Sequence, residues 1–223
     1  MLADKVKASS AKPVARRSRG RPKLGQAADI DKELCDVALQ EFVRCGYSGT
    51  SMSSIVKIAG ISKTTLYSRY PSKKELFLSV IRRMYDGAAL REALLDDTRN
   101  VSLEEGLKAF ARCSLQNSRS DIVKGLNRLV YSERYRFPEL SEASIELITK
   151  IKATLTTLIT QCAGNDGKTV GNITVPVGLY ANMVQGFYVD AMLAQDELTD
   201  AQIEEWVEQA AHFVMSTSSD WTR

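Results

Sequence analysis

The stretch SMSSIVKIAGISKTTLYSRY (51–70) constrains the chain more than any other. It holds two very short helical patterns separated by Gly60-Ile61-Ser62. In the first, Met52, Ile55, Val56 and Ala59 recur at helical spacing behind Ser51, a plausible N-cap. In the second, residues 63–70, Ser62 is placed to cap the start, and Pro71 ends the piece. Two short helices joined by a tight glycine-containing turn are the helix-turn-helix pattern, whose second helix enters a DNA major groove while the first braces it. Ile55, Ala59, Ile61 and Leu66 supply the brace. Lys63, Thr64, Thr65 and Ser68 are left to face outward, with Tyr67 beside them. Hydroxyls and a lysine at a helix N-terminus suit phosphates and base edges. An ordinary αα-corner with a polar outer face fits the same pattern.

Charge placement separates these readings. Residues 1–25 carry eight Lys/Arg against one acid, residues 26–90 nine against seven, and residues 91–223 thirteen against nineteen. A positive end on an acidic remainder points to a polyanion bound near the N-terminus rather than to membrane adhesion. No apolar run approaches the ~18 residues of a membrane span, and no apolar segment follows the basic N-terminus as in a secretory signal. A cytoplasmic, nucleoid-associated location is therefore expected. Cys35, Cys45, Cys113 and Cys162 form no CxxC pair and no zinc spacing with the single His212, so reduced thiols, no metal and no cofactor are expected.

The rest of the chain reads as helix. Ile30, Leu34, Val37, Ala38 and Phe42 share one face of a helix over 28–45, with Gly46 as a stop. Ser72-Lys-Lys-Glu75, Ser102-Leu-Glu-Glu105 and Thr199-Asp-Ala-Gln202 are capping boxes that open further helices. Another pattern covers about 121–136, and Pro138 fits the first turn of a long helix to about 162. Residues 164–174 read as a loop, and 175–195 are apolar on more than one face. With no alternating strand pattern, the expected class is all-α. It comprises a flexible basic arm (1–25), a three-helix DNA-binding domain (26–88, helix-turn-helix 51–70) and a helical ligand-binding and dimerisation domain (89–223).

Residues 28–84, and 51–76 above all, resemble the DNA-binding domain of the TetR family of bacterial transcriptional regulators. The resemblance rests on Ile55, Ala59, Gly60, Ser62, Lys63, Leu66, Tyr67, Tyr70, Ser72, Lys73 and Leu76, with near-matches at Ser51, Met52 and Ile61. Val56 and Thr64 depart from it, standing where alanine and glycine are usual. The resemblance implies DNA contacts at Ser51, Ser62, Lys63, Thr64, Thr65, Tyr67, Tyr70 and Lys73. Lys63, Thr64 and Thr65 would reach base edges, while Tyr67 and Lys73 touch phosphate. A half-buried packing role is the alternative for Tyr67, and a core role for Tyr70. The Arg-Phe-Pro-Glu-Leu stretch (136–140) resembles the AefR-like subset.

By the same resemblance, the last two helices pair across a two-fold axis into a homodimer, with Val184, Trp206, Val207, Ala210 and Val214 as candidate interface residues. Simple core packing is the competing reading. Cys113, Asn117, Arg128, Tyr131, Met183 and Phe187 are candidate contacts for a small-molecule effector, with a core or surface role as the alternative for each. In the arm, Arg19-Gly20-Arg21-Pro22 resembles an AT-hook, which places Arg19 and Arg21 in an A·T minor groove and Arg16, Arg17 and Lys23 on phosphate. A disordered solubility tail is the alternative. The expected function is a dimeric repressor that binds double-stranded operator DNA and is released by an inducer. An activator, a non-specific architectural DNA binder and an enzyme with a basic tail are the alternatives. No nucleophile elbow, P-loop or metal cluster supports the enzyme.

Overall fold

The computed structural model describes residues 24–194 and 197–223, and the architecture is all-α. Among the described residues ten α-helices follow one another: α1 (Leu24–Gly49), α2 (Met52–Ala59), α3 (Lys63–Arg69), α4 (Lys73–Asp86), α5 (Ala88–Asp97), α6 (Leu103–Ser118), α7 (Asp121–Glu133), α8 (Glu139–Asn165), α9 (Thr174–Ala194) and α10 (Asp200–Ser216). None of them is long and apolar enough to cross a membrane, and no cluster of His, Cys, Asp and Glu among the described residues could hold a metal. The arm residues Arg16, Arg17, Arg19, Arg21 and Lys23 lie outside the described residues.

The caps explain most boundaries. Ser51, Ser62, Ser72, Ser102 and Thr199 each accept a hydrogen bond from the backbone N–H three residues on. The reciprocal half of the capping box forms at Thr199 with Gln202, and at Ser51 with Ser54. At Ser72 and Ser102 only the forward bond is made. The α1 backbone leaves the helical region at Gly46, with φ of 69°. Pro138 stands one position before the first turn of α8 rather than within it, and α8 continues to Asn165.

The sequence pattern missed α5. Its apolar residues Leu90, Leu94 and Leu95 give no strong stripe, and a single residue, Gly87, both ends α4 and starts α5. Gly87 does so at φ of 48°, which a side chain disfavours. The expected 164–174 loop is present, but it is pinned. Thr169 and Arg223 exchange backbone hydrogen bonds of 2.7 and 2.8 Å, Gly171 N–H donates to Trp221 O, and the Trp221 side chain is buried.

Two apolar clusters organise the chain. The first joins Leu34, Ala38 and Phe42 of α1, Ile55, Leu66, and Leu76, Phe77 and Ile81 of α4. It also takes in Leu126, Leu129 and Val130 of α7 and Phe137, Leu140 and Ala143 at the start of α8. The DNA-binding half is therefore completed by side chains from beyond residue 88. The second cluster lies among α6, α8, α9 and α10, centred on Leu107, Ala111, Leu158, Tyr180 and Val207. Tyr180 is fully buried, and its hydroxyl donates to Leu107 O at 2.8 Å. Ion pairs hold α10 along α6: Arg112 binds Glu204 through two 2.7 Å hydrogen bonds, Lys108 meets Glu208 at 2.7 Å, and Arg119 pairs with Asp200.

Candidate DNA-reading surface and ligand cavity

Gly60 makes the turn between α2 and α3. Its φ of 63° lies in the left-handed region, and its N–H donates to Val56 O. The turn drops Leu66 and Ile55 into the core, both with no exposure. Lys63, Thr64, Tyr67 and Ser68 are thereby exposed on the opposite side of α3, with Tyr67 47% exposed. The Ser62 oxygen is occupied as the cap, 3.0 Å from Thr65 N and 2.8 Å from Thr65 Oγ1. Ser51 is exposed at the start of α2.

Two of the expected DNA contacts turn inward. The Tyr70 hydroxyl lies 3.4 Å from Cys35 Sγ. Burial, reinforced by that contact, pushes the Tyr70 hydroxyl above the ordinary phenol range, so it stays protonated. Lys73 Nζ lies 2.8 Å from both Tyr47 O and Thr50 O and 4.5 Å above the Tyr47 ring. In the chain without DNA, Lys73 thus fixes the turn ahead of α2. Arg69 pairs with Asp31 of α1, which ties the end of the reading helix to the long helix.

The 136–140 stretch completes this clamp from the other side. The Arg136 guanidinium lies 5.1 Å from the Tyr47 ring centre and donates to Ser48 Oγ at 3.2 Å. Phe137 meets Tyr47 edge-on with ring centres 4.6 Å apart, and Lys74 pairs with Glu139 at 2.6 Å. The segment just before the helix-turn-helix is therefore gripped by the α7–α8 corner. Sequence reasoning found the stretch but not its target, because the contact spans about ninety residues of chain.

A cavity of about 520 Å³ opens among α4 to α9. Three of the expected effector contacts, Cys113, Asn117 and Tyr131, line it. The other three do not. Phe187 stacks on Trp206 with ring centres 4.7 Å apart, and Met183 packs against the second cluster. Arg128 borders a separate cavity of about 670 Å³ against α1. The helical period decides this, because a cavity between helices takes one stripe from each. Leu90, Leu94, Ile145 and Ile148, unmarked by the sequence, contribute much of the wall.

The expected interface set also divides. Val207, Ala210 and Val214 are buried in the chain's own second cluster, and Val184 is buried at the cavity wall. Half-buried Trp206 alone of the five keeps an outward part. The apolar residues left open on α9 and α10 are Val175, Leu179, Leu193 and Phe213.

A braced helix-turn-helix with a polar reading face, attached to a helical body with an internal cavity, defines a DNA-binding transcriptional regulator. Residues 34–80 match the N-terminal domain of bacterial regulatory proteins of the tetR family, and residues 105–217 match the AefR-like transcriptional repressor C-terminal domain. The chain belongs to the TetR family. It is 33% identical over 89 residues to the HTH-type transcriptional regulator RutR of Escherichia coli, spanning 40% of this chain and 41% of RutR. The HTH-type transcriptional repressor ComR of E. coli is 35% identical over 102 residues, 44% of this chain and 47% of ComR. These alignments span less than half the length of the curated relatives. Among solved structures, a Mesorhizobium loti protein described as a TetR-family transcriptional regulator superposes with a TM-score of 0.76. It is 23% identical and covers 86% of this chain and 98% of its own. The flavonoid-responsive regulator FrrA superposes at 0.63 with 26% identity, covering 85% and 97%.

Proposed function

We propose that this protein is a homodimeric repressor that binds a palindromic operator and leaves it when a small-molecule effector occupies the α4–α9 cavity. The observation that carries the DNA-binding reading is the division of α3: Leu66 is fully buried while Lys63, Thr64 and Tyr67 are open. Lys63, Thr64 and Thr65 contact base edges in this reading, with Ser51 and Tyr67 on phosphate. Arg19 and Arg21 enter the flanking minor groove, and Arg16, Arg17 and Lys23 reach phosphate.

One helix-turn-helix reads few base pairs, so a second copy is required, with reading helices roughly 34–36 Å apart. The open Val175, Leu179, Leu193 and Phe213, with Trp206, offer the apolar face for it. Tyr131, Arg134, Ser141 and Ser144 line the cavity on either side of the 136–140 clamp. Effector binding displaces this corner and with it the turn before α2, shifting the population away from the operator-binding spacing. Operator must then weaken effector binding by the same factor. The repressor sign is supported by ComR and by the AefR-like match; another relative, FasR of Mycolicibacterium smegmatis, is an activator.

The test is selection of bound genomic fragments by the purified protein, followed by Lys63→Ala on the recovered site. A palindromic site, with affinity lost by about 1–3 kcal/mol in the variant and stability unchanged, is the expected result. Equal affinity for the site and for random duplex at fixed salt would instead favour an architectural binder. Catalytic turnover in a broad hydrolase and transferase screen would point to an enzyme; none is expected.

A further inference from the structure

The cavity among α4 to α9 has a chemical bias beyond its shape. No carboxylate stands among its described lining residues, whereas Arg91 and Arg134 do. Most of the hydroxyls are already used within their own helices. Ser114 donates to Phe110 O at 2.8 Å, Ser118 to Leu115 O at 2.6 Å, Ser144 to Leu140 O at 2.7 Å and Thr154 to Lys150 O at 3.0 Å. The Tyr188 hydroxyl accepts from Asn127 at 2.7 Å and lies 3.6 Å from Met192 Sδ. Burial pushes the Tyr85 hydroxyl up to about 12, so this wall carries no negative charge near neutrality. The amides of Asn117 and Gln185 are neutral and serve a donor or an acceptor alike.

The remaining surface is apolar and partly wet. Leu90, Tyr131, Ile145 and Ile148 are large hydrophobic side chains more than 40% exposed, and all four line this one cavity. Such a cluster gains free energy when an apolar body covers it. The two arginines differ. Arg91 is occupied by Asp86, through the backbone oxygen and a carboxylate oxygen 4.0 Å away. Among the described residues Arg134 has no carboxylate partner: its guanidinium lies 5.7 and 5.1 Å from the Tyr131 and Tyr135 rings and touches the Tyr135 hydroxyl at 3.4 Å. It is a cation held on an aromatic shelf at the edge of an apolar chamber.

We infer that the effector site selects an apolar molecule ending in a carboxylate, with the apolar body against Ile145, Ile148, Leu90 and Leu94 and the carboxylate on Arg134. The inference rests on the effector reading above and adds the ligand class. Cationic apolar compounds are disfavoured, because nothing on the wall neutralises them and burying an unpaired charge is costly.

Dodecanoate, dodecanol and dodecyltrimethylammonium, at low concentration, share a tail and differ in head group; calorimetric titration of the full chain compares them. Dodecanoate should bind most tightly and the ammonium least. Arg134→Gln should weaken dodecanoate by about three- to tenfold, to the level of dodecanol, and leave dodecanol unchanged. Arg91→Gln should change the ranking less. Ile148→Asp should weaken dodecanoate and dodecanol. A preference for the ammonium, equal binding of all three heads, or an Arg134→Gln variant with unaltered ranking would overturn the carboxylate assignment. Absence of binding by all three to a chain folded by circular dichroism would overturn it as well. Tight dodecanoate binding with unaltered operator affinity would keep the ligand class and sink the effector reading, so the two failures are distinguishable.

Discussion

The two apolar clusters are built on opposite plans. The C-terminal cluster closes on its own helices, α6, α8, α9 and α10, and ion pairs from Lys108, Arg112 and Arg119 line α10 up along α6. The N-terminal cluster is open on one side and is completed by Leu126, Leu129, Phe137 and Leu140 from the following domain. A self-sufficient core makes a stable platform. A borrowed core makes the position of the reading helices depend on the body that holds the cavity. The two halves are thereby packed on one another through α7 and the start of α8.

The largest loss is expected from removing the borrowed aromatic. Phe137→Ala should cost about 3–5 kcal/mol in denaturant unfolding, because Phe137 is buried against Tyr47 and Phe77. The loss should appear in the N-terminal helices. A loss confined to the C-terminal helices by hydrogen exchange would overturn the borrowed-core description.

Next comes the contact of α1 with α7. A Cβ added at Gly125 would sit 2.3 Å from Val43 Cγ1, so the helices approach closely only because glycine is there. Gly125→Ala should destabilise by about 1–3 kcal/mol through overpacking, even though alanine favours a helix interior by about 1 kcal/mol. A stabilised variant would show that the interface yields easily and transmits little.

A smaller effect belongs to the N-terminal half alone. Ser62→Ala removes the cap of α3 and should cost about 1 kcal/mol, with operator affinity reduced as the short helix frays. Unchanged operator affinity would mean that DNA contacts alone hold the helix.

The smallest effect concerns the ion pair across the two halves. The hydrogen bond from Lys74 holds the Glu139 carboxyl below the usual carboxylate range. A depressed folded value means that the pair's contribution is present above the ordinary carboxylate value of about 4.3 and fades as pH falls through the folded one. The difference in Tm between the native chain and Glu139→Gln should therefore be constant near neutrality and shrink in acid. A difference that persists unchanged to about pH 3 would assign it to packing instead.

The helix-turn-helix was legible because its information is local. Ser51, Gly60 and Ser62 set caps and a turn through bonds to residues within a few positions, and Ile55 and Leu66 follow a helical period. Periodicity also marked Val207, Ala210 and Val214 as one apolar stripe, but could not say whether that stripe met its own chain or a second copy. The same limit applies to Met183 and Phe187, which lie outside the α4–α9 cavity. Helical spacing shows that a face is apolar, and only the crossing of helices decides which part of it borders a cavity. Tyr70 and Lys73 carry the residue types of DNA contacts, and in the chain without DNA they meet Cys35 and the carbonyls of Tyr47 and Thr50, partners that no local pattern announces.

The sequence by itself determined the all-α class, the caps, the turn at Gly60 and the polar face of α3, since each depends on bonds and periods spanning a few residues. Helix packing placed Arg136 and Phe137 around the turn at Tyr47, set Arg134 on the Tyr131 and Tyr135 rings at the edge of an apolar chamber, and left Val175, Leu179, Leu193 and Phe213 of α9 and α10 open. Those arrangements join residues far apart in the chain, and their geometry follows from how whole helices pack rather than from any local pattern.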